Sequence, residues 1–213
     1  MRERCEILKV LLSHDNKQLI YLTKEHVKIR DVYNLERVLE SIAYSDIRYS
    51  CIALSPDGRT LVIGFTEKKS GKEGLLLWDL RESRSIARLL ARQEEKPQVQ
   101  GHVHAAAFAA QGNLIVSVHA DTLVHVWDKE KCERVGVLEG HMGEVTCVVA
   151  DFNLAFTGSS DKTVRIWNVR EMRAEGSIEA HTGAVVCLAL THDSKFLVSC
   201  GADRLVKVWS LAE

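Results

Sequence analysis

The chain has 213 residues, 46% of them hydrophobic, which is enough to bury a core. Its 28 Lys and Arg residues against 29 Asp and Glu residues give a net charge of −1, so its global charge favours neither nucleic acid, nor a membrane surface, nor an acidic ligand. No apolar run reaches the roughly 18 residues of a membrane-spanning helix, and the first residues lack the apolar stretch of a secretory signal. We therefore expect a cytoplasmic protein, with no membrane and no nucleic-acid partner indicated.

The chain begins with a unit that has no tryptophan but matches the last unit at two places. Residues 12–17 (LSHDNK) are similar to 190–195 (LTHDSK), and residues 27–31 (VKIRD) are similar to 206–210 (VKVWS). Arg30 therefore stands where the last unit has Trp209. The match predicts the same strands and turns in both units.

Each of the four following units contains one tryptophan at the end of an apolar phrase. The phrases are LLLWD, LVHVWD, TVRIWN and LVKVWS, and their tryptophans are 49, 40 and 42 residues apart. These spacings are close to the roughly 40–45 residue period of propeller blades built from four strands. Five units then account for the whole chain, at about 1–40, 41–90, 91–130, 131–170 and 171–213.

The last unit shows how each unit is expected to fold. Residues 185–190 are apolar on both faces, as in a strand packed between two neighbouring sheets. Two further strands, each entered through a turn, follow over 196–200 and 205–209. The fourth strand of a blade is expected from the residues that open the next unit, such as 85–91 and 174–178.

The end of the chain is too short to supply that fourth strand to the last blade, since only residues 210–213 remain. Propellers protect their sheet edges by radial repetition and closure, whereas an open arc leaves an edge uncovered. We therefore expect the chain to be part of a longer array. A self-sufficient ring of five blades is the alternative.

A small residue and a histidine precede two of the tryptophans, as Gly140-His141 before Trp167 and Ala180-His181 before Trp209. This frame resembles the tryptophan-aspartate (WD) repeat family of β-propellers, and the resemblance covers nearly the whole chain. It implies an all-β fold of four-stranded antiparallel blades, about five of them present, in one domain over 1–213. Because propellers of this family usually have about seven blades, it also implies that the remaining blades lie in flanking sequence.

The resemblance further implies a buried hydrogen-bond chain of four side chains in each regular blade. A buried indole N–H and imidazole would find a hydroxyl and a carboxylate as partners. In the last two units the four residues are His141, Thr157, Asp161 and Trp167, and His181, Ser199, Asp203 and Trp209. The third unit has a partial set, in which Val99 replaces the histidine of Ser117, Asp121 and Trp127.

The first two units depart further from this pattern. The second has Ser45 and Ile63 at the histidine and hydroxyl positions, which leaves Trp78 nearly alone. The first has Tyr21 and Arg30 at the hydroxyl and tryptophan positions.

Enzymatic interpretations of these residues are weaker. A Ser, His and Asp set could form a hydrolase triad, but the same foursome recurs in two units and no Gly-x-Ser-x-Gly elbow is present. Residues 64–72 fail as a phosphate loop because six residues rather than four separate the glycines, and Glu73 stands where Ser or Thr should hold magnesium. We expect no catalytic residue and no cofactor.

A metal site is not expected either. Four histidines lie close in sequence, but no carboxylate or thiolate frame completes a ligand set: His102, His104, His119 and His125. Three cysteines occupy one equivalent repeat position, where each serves as a small apolar side chain of the innermost strand: Cys51, Cys147 and Cys187.

Two insertions depart from the repeat, and both fall on connections at the same rim of a propeller. The first places residues 67–74 in a turn, and the second adds residues around 92–97. They are either solvated loops of variable length or a partner-binding surface, because binding concentrates on loops of a rigid scaffold. Both flank the second unit, so we expect them to be neighbours. The candidate partner-binding residues are Lys68, Lys69, Lys72, Arg92, Glu94, Glu95 and Lys96.

The function that this pattern favours is a non-enzymatic scaffold that presents propeller loops to a protein or peptide partner. The alternative is a regulatory array within a larger signalling NTPase, where the repeats would sense a ligand or restrain the NTPase. A Walker loop upstream of the chain would favour the second hypothesis.

Overall fold

The computed structural model describes residues 6–90 and 102–211. Their strands form five separate antiparallel sheets, which we call blades 1 to 5. Within each blade the strands pair in chain order, each with its sequence neighbour. This is the topology of propeller blades, and it confirms the predicted all-β propeller fold class. The chain divides into two compact units, Met1–Val103 and His104–Glu213.

The first unit holds blades 1 and 2, and β5 packs against β1 and β2. Its core is a continuous cluster of aliphatic and aromatic side chains that includes Ile20, Ile52 and Phe65. The strands β6 and β7 are almost wholly buried, which explains their apolar runs. The strands are β1 (Ile7–Leu12), β2 (Gln18–Thr23), β3 (Val27–Asp31), β4 (Val38–Ile42), β5 (Ile47–Leu54), β6 (Thr60–Glu67), β7 (Glu73–Asp79) and β8 (Arg84–Leu90).

The second unit holds blades 3 to 5, and the unit boundary falls within β9. In this unit β13 packs against β10, and β17 packs against β13 and β14. A 3-10 turn, Ala110–Gly112, connects β9 to β10. The strands are β9 (Val103–Ala109), β10 (Leu114–His119), β11 (Val124–Asp128), β12 (Glu133–Leu138), β13 (Val145–Asp151), β14 (Leu154–Ser159), β15 (Thr163–Asn168), β16 (Arg173–Glu179), β17 (Val185–Leu190), β18 (Phe196–Gly201) and β19 (Val206–Ser210).

The predicted offset between sequence units and sheets is confirmed. The fourth strands β8 and β16 pair with the tryptophan strands β7 and β15, as expected from residues that open the next unit. The last sheet has three strands in the described part of the chain, so blade 5 lacks a fourth strand there. Whether further blades lie in flanking sequence remains a prediction. Among residues 6–90 and 102–211, no helix has the length and apolar character to cross a membrane.

The repeated cysteine position has two outcomes. Cys51 and Cys147 are buried, each opposite a glycine on the neighbouring strand, Gly64 or Gly158. Cys187 is exposed, and its cross-strand neighbour is Cys200. The expectation that all three serve as interior hydrophobic side chains is therefore wrong for Cys187, because side chains on this face of blade 5 such as Val206 and Val208 are also exposed.

Gly158 allows blade 5 to approach blade 4 closely. A Cβ at this position would lie 2.5 Å from Val185 Cγ1 and 2.7 Å from Cys147 Sγ, both much closer than normal packing permits. We therefore expect Gly158→Ala to lower the free energy of unfolding by about 1–3 kcal/mol through overpacking. Calorimetric or denaturant unfolding measures the change.

The matched control is Gly176→Ala in β16, where the nearest atom to a new Cβ is Ile166 Cδ1 at 3.9 Å. That change should leave stability equal or slightly higher, because alanine loses less conformational entropy than glycine on folding. Equal effects of the two substitutions would contradict a role of Gly158 in blade packing.

Candidate functional site

Blade 4 contains a continuous hydrogen-bond chain from a tryptophan to a carboxylate. The indole N–H of Trp167 donates to Thr157 Oγ1 at 2.7 Å, and Thr157 Oγ1 lies 2.8 Å from His141 Nε2. His141 Nδ1 lies 2.8 Å from Asp161 Oδ2. One set of donors satisfies every contact: the hydroxyl donates to Nε2, and Nδ1–H donates to the carboxylate. The chain thus joins the loop before β13, the strands β14 and β15, and the turn between them.

Blade 5 repeats the same chain with serine in place of threonine. Trp209 Nε1 donates to Ser199 Oγ at 2.9 Å, and Ser199 Oγ lies 2.8 Å from His181 Nε2. His181 Nδ1 lies 2.9 Å from Asp203 Oδ1. The other oxygen of Asp203 accepts the backbone N–H of Thr182 at 2.9 Å, so the carboxylate also fixes the loop that carries the histidine.

The electrostatics of these chains favour ionised aspartates beside a neutral histidine. Burial alone would raise the pKa of Asp161, but hydrogen bonds from the Thr163 hydroxyl, the Met142 N–H and His141 outweigh burial and hold the pKa well below its usual range. The pKa of Asp203 is lowered to about 2, because two backbone N–H groups and His181 outweigh a similar burial effect. Burial lowers the pKa of His141 although Asp161 opposes it, which agrees with the neutral ring that the hydrogen bonds require.

Neither chain has the access that a hydrolase triad needs. The hydroxyls of Thr157 and Ser199 belong to fully buried side chains and lie between an indole and an imidazole. A nucleophile must reach its substrate, and these hydroxyls face the interior of a blade. What the arrangement can do is tie a loop to a sheet.

Blade 3 completes its network with two strand histidines instead of a loop histidine. Trp127 Nε1 donates to Ser117 Oγ at 2.8 Å, and Ser117 Oγ lies 3.0 Å from His119 Nε2. His125 Nε2 lies 3.4 Å from Asp121 Oδ2. The two imidazoles meet edge to face, with ring centroids 4.6 Å apart.

The role of these two histidines was missed from the sequence, which suggested only a metal set for them. The available indication is spacing, because His119 lies two residues after Ser117 and therefore on the same face of β10. Burial lowers the pKa of His125 against an opposing hydrogen bond to Asp121. A neutral, buried imidazole pair is thus part of the interior of blade 3.

The two irregular blades satisfy the same positions differently. In blade 1, Arg30 at the tryptophan position donates from Nε to the Tyr21 hydroxyl at 2.9 Å. In blade 2, Trp78 Nε1 donates to Glu40 Oε1 at 2.9 Å, and Glu40 lies on β4 of blade 1. The prediction that Trp78 stands nearly alone is therefore wrong, because its partner comes from the neighbouring blade. Burial raises the pKa of Glu40, although hydrogen bonds from Trp78 and Ser83 oppose the rise.

The insertion at 67–74 is a lengthened hairpin rather than a loop. Thr66 pairs with Glu73 and Phe65 pairs with Gly74, so the turn itself is limited to 68–72. This corrects the expectation that the turn includes Glu67, Glu73 and Gly74. We call residues 67–73 the lysine hairpin.

Backbone and side-chain contacts fix the lysine hairpin in place. Glu67 N donates to Lys72 O at 2.8 Å, which closes the turn. Lys68 donates from its backbone N to Asp46 O at 2.8 Å and from Nζ to Ser45 O at 3.0 Å. Lys68 is thereby bound to the start of blade 2.

The other two lysines of the hairpin are free in the described part of the chain. Lys69 and Lys72 are both exposed, and neither ammonium forms a hydrogen bond or ion pair with a described residue. The rest of the predicted surface lies outside the described residues: Arg92, Glu94, Glu95 and Lys96. Their proximity to the hairpin stays a prediction.

The remaining histidines of the sequence have separate partners. His102 Nδ1 lies 3.1 Å from Thr66 Oγ1, and His104 Nε2 lies 2.6 Å from Glu144 Oε1. Over residues 6–90 and 102–211, no three His, Cys, Asp or Glu side chains form a group that could hold a metal ion.

We expect His119→Ala to destabilise blade 3 by about 1–3 kcal/mol, because the change removes a partner of the buried Ser117 hydroxyl. His102→Ala is the control, since His102 follows a glycine as the family pattern requires but bonds only to an exposed site near Thr66. Thermal unfolding compares the two. A larger loss from His102→Ala would contradict the assignment of His119.

The lowered aspartate pKa values predict loss of stability in acid. A carboxylate whose pKa is lower in the folded state than its unfolded value of about 3.9 stabilises the fold above that pH, and this contribution is lost as pH falls toward the folded pKa. We expect the free energy of unfolding to fall between about pH 5 and pH 2, and Asp161→Asn to reduce this slope. Glu139→Gln on an exposed loop controls for the lost charge; an unchanged slope in Asp161→Asn would contradict the linkage.

Comparison with known proteins places these networks in a family. The description "WD domain, G-beta repeat" fits residues 94–128, 132–168 and 173–210, which together make up more than half of the chain. Two solved structures, of U3-55K and of the RRP9 WD40 repeats, superpose with a TM-score of 0.83 at 22% identity. They cover 100% of this chain, which covers 63% and 62% of theirs.

Sequence relatives match shorter stretches. WD repeat and SOCS box-containing protein 1 of Danio rerio is 27% identical over 110 residues, which are 52% of this chain and 23% of that protein. A subunit of chromatin assembly factor 1 from Mus musculus is 25% identical over 127 residues, 53% of this chain and 21% of that protein. The beta-2 subunit of a guanine nucleotide-binding protein from Caenorhabditis elegans is 32% identical over 72 residues, 34% of this chain and 18% of that protein. The chain thus spans less than a quarter of the length of each of these relatives. With three matching repeats, five propeller-type sheets and the Trp-to-Asp hydrogen-bond chains of blades 4 and 5, the chain belongs to the WD-repeat family of β-propeller proteins.

Proposed function

We propose that this chain is a non-enzymatic scaffold that binds a protein partner through the lysine hairpin of blade 2. The observation that carries the proposal is the pairing of a fixed backbone with free charge. The turn is closed by backbone hydrogen bonds and held to blade 2 by Lys68, while Lys69 and Lys72 are exposed without a partner in the described residues. A rigid element that presents unpaired polar groups loses little conformational entropy when it binds.

The absence of a usable nucleophile in the tetrads supports a scaffold over an enzyme. The residues that resemble a hydrolase triad are occupied in holding loops to sheets, and the buried hydroxyls face blade interiors. Fold alone does not fix function, so the proposal depends on the surface features of this chain.

The names of the relatives point in the same direction. Two of them are named as subunits, one of a chromatin assembly factor and one of a guanine nucleotide-binding protein. Subunits act by contact with other chains, and we extend that mode of action to this protein. The cytoplasmic location expected from the sequence stays a prediction.

The test is affinity capture with two variants that differ only in where charge is reversed. Lys69→Glu with Lys72→Glu should remove partners that the wild-type chain retains, because the reversal replaces the two free ammonium groups of the hairpin. Lys129→Glu with Lys131→Glu makes the same change of net charge at the turn after β11 and should leave those partners bound. Quantitative mass spectrometry of the captured proteins gives the readout.

A second measurement protects the test against a folding artefact. Both double variants should unfold at the wild-type temperature, because isolated surface charges contribute only about 0–1 kcal/mol. A partner set that is equally retained by the hairpin variant and the wild type would overturn the proposed binding site. Loss of the same partners in both variants would show nonspecific charge attraction instead.

A further inference from the structure

The turn between the first two strands of blade 4 differs from its counterparts in other blades. Blades 1, 2 and 5 use a polar turn in which an aspartate accepts a hydrogen bond from a Ser or Thr hydroxyl two residues earlier: Ser13 and Asp15, Ser55 and Asp57, and Thr191 and Asp193. In blade 4 only Phe152 and Asn153 separate β13 from β14. An aromatic residue thus stands at the tip of a two-residue hairpin.

Phe152 combines two unfavourable features that the fold does not require. Its φ is 45°, in the left-handed region that disfavours bulky side chains, and its side chain is 65% exposed. The corresponding left-handed positions in other turns are occupied by Asn16, Gly58 and Ser194. Local stability alone would favour such a small or polar residue over phenylalanine.

The backbone of this turn is nevertheless held firmly on three sides. Phe152 N donates to Asp151 Oδ1 at 3.0 Å, and Phe152 O accepts a hydrogen bond from Ala110 N in the turn of blade 3. Val169 N donates to Asn153 O at 2.8 Å from the other turn of blade 4. The phenyl ring is therefore exposed on a fixed backbone, which is the arrangement of a preorganised anchor residue.

Two further apolar side chains extend the exposed surface beside Phe152. Leu154 is 37% exposed and pairs with Asp151 at the base of the hairpin, and Phe196 is 42% exposed at the start of β18. The Ser194 hydroxyl donates to Asp151 Oδ2, which holds the turns of blades 4 and 5 together. We call Phe152, Leu154 and Phe196 the Phe152 patch.

The charged side chains next to the Phe152 patch are paired with one another. Arg173 contacts Glu171 at 2.6 Å and Glu175 at 3.0 Å, and Lys195 lies 3.8 Å from Asp193. Charge complementarity at this place therefore favours an uncharged partner. The patch also lies at the opposite end of blade 4 from Asp161, because successive turns of an antiparallel sheet alternate between its two ends.

We propose that the Phe152 patch is a second docking surface, which takes an uncharged apolar segment of a protein partner with Phe152 as its anchor. The surface differs from the lysine hairpin in chemistry and in position along the chain. It does not depend on the function proposed for that hairpin.

Stability separates this role from a structural one. Phe152→Asn should leave the melting temperature unchanged or raise it by about 2–4 °C, because asparagine tolerates the left-handed conformation and no buried contact is lost. A structural phenylalanine would instead lower the melting temperature when replaced. A clear decrease in Phe152→Asn would overturn the proposal.

The binding test uses a displayed library of random peptides selected on the wild-type chain. The expected selected peptides are uncharged and carry at least two large apolar side chains, and their affinity falls by about tenfold or more in Phe152→Asn. Phe196→Ala should also weaken them, by a smaller factor. Tyr33→Ala is the matched control, since Tyr33 is an 83% exposed aromatic residue in a turn of blade 1, and it should leave affinity unchanged.

Other results decide against the Phe152 patch. Peptides that bind Phe152→Asn as tightly as the wild type would overturn the proposal, as would a selection that yields only charged peptides or none. Peptides that are acidic and lose binding with Lys69→Glu and Lys72→Glu would support the lysine hairpin alone. The two proposed surfaces therefore succeed or fail separately.

Discussion

A buried indole N–H needs an acceptor, and this need organises the blades. Leaving such a donor unpaired costs about 1–3 kcal/mol, a large share of the stability of an ordinary domain. In blade 4 the acceptor is Thr157, whose hydroxyl can accept from Trp167 only while its own proton goes to His141. That proton in turn requires a neutral ring with its other nitrogen donating to Asp161. One apolar ring in a sheet thus determines the protonation of a loop histidine and the position of a turn.

The same requirement has different solutions where the repeat is irregular. Blade 3 has no loop histidine, and His119 accepts from the hydroxyl along its own strand. Blade 2 has isoleucine at the hydroxyl position, and Trp78 instead reaches Glu40 on the preceding blade. The first solution ties a strand to itself, whereas the second ties two blades to each other. Substitution of the pattern therefore changes which elements are joined, and a donor still finds its acceptor.

The sequence predicts the features that repeat, and misses those that depend on one blade. Strand order and the offset of the fourth strand follow from a period of about 40–45 residues, because each unit has the same apolar runs and turns. Glu40 could not be assigned from Trp78, since the two residues are 38 positions apart and no other unit has the pair. The repeat misjudges the burial of the cysteine position at Cys187, because burial depends on the neighbouring blade as well as on the strand. Contacts within a unit are thus readable from the repeat, and contacts between units require coordinates.

The distinction between turn and strand decides which irregularities are surfaces for binding. The lysine insertion adds residues to β6 and β7, so most of it is accounted for by strand pairing and only its tip remains for a partner. The turn of blade 4 is shortened, and its cost is visible in the left-handed Phe152 and in the exposure of its ring. Strain that the fold does not need persists only where surrounding contacts impose it, and here hydrogen bonds from three neighbouring segments do so. An irregular length alone is therefore weak evidence of function, whereas an unfavourable conformation on a rigid backbone is stronger, because mutation could relieve it at a single position.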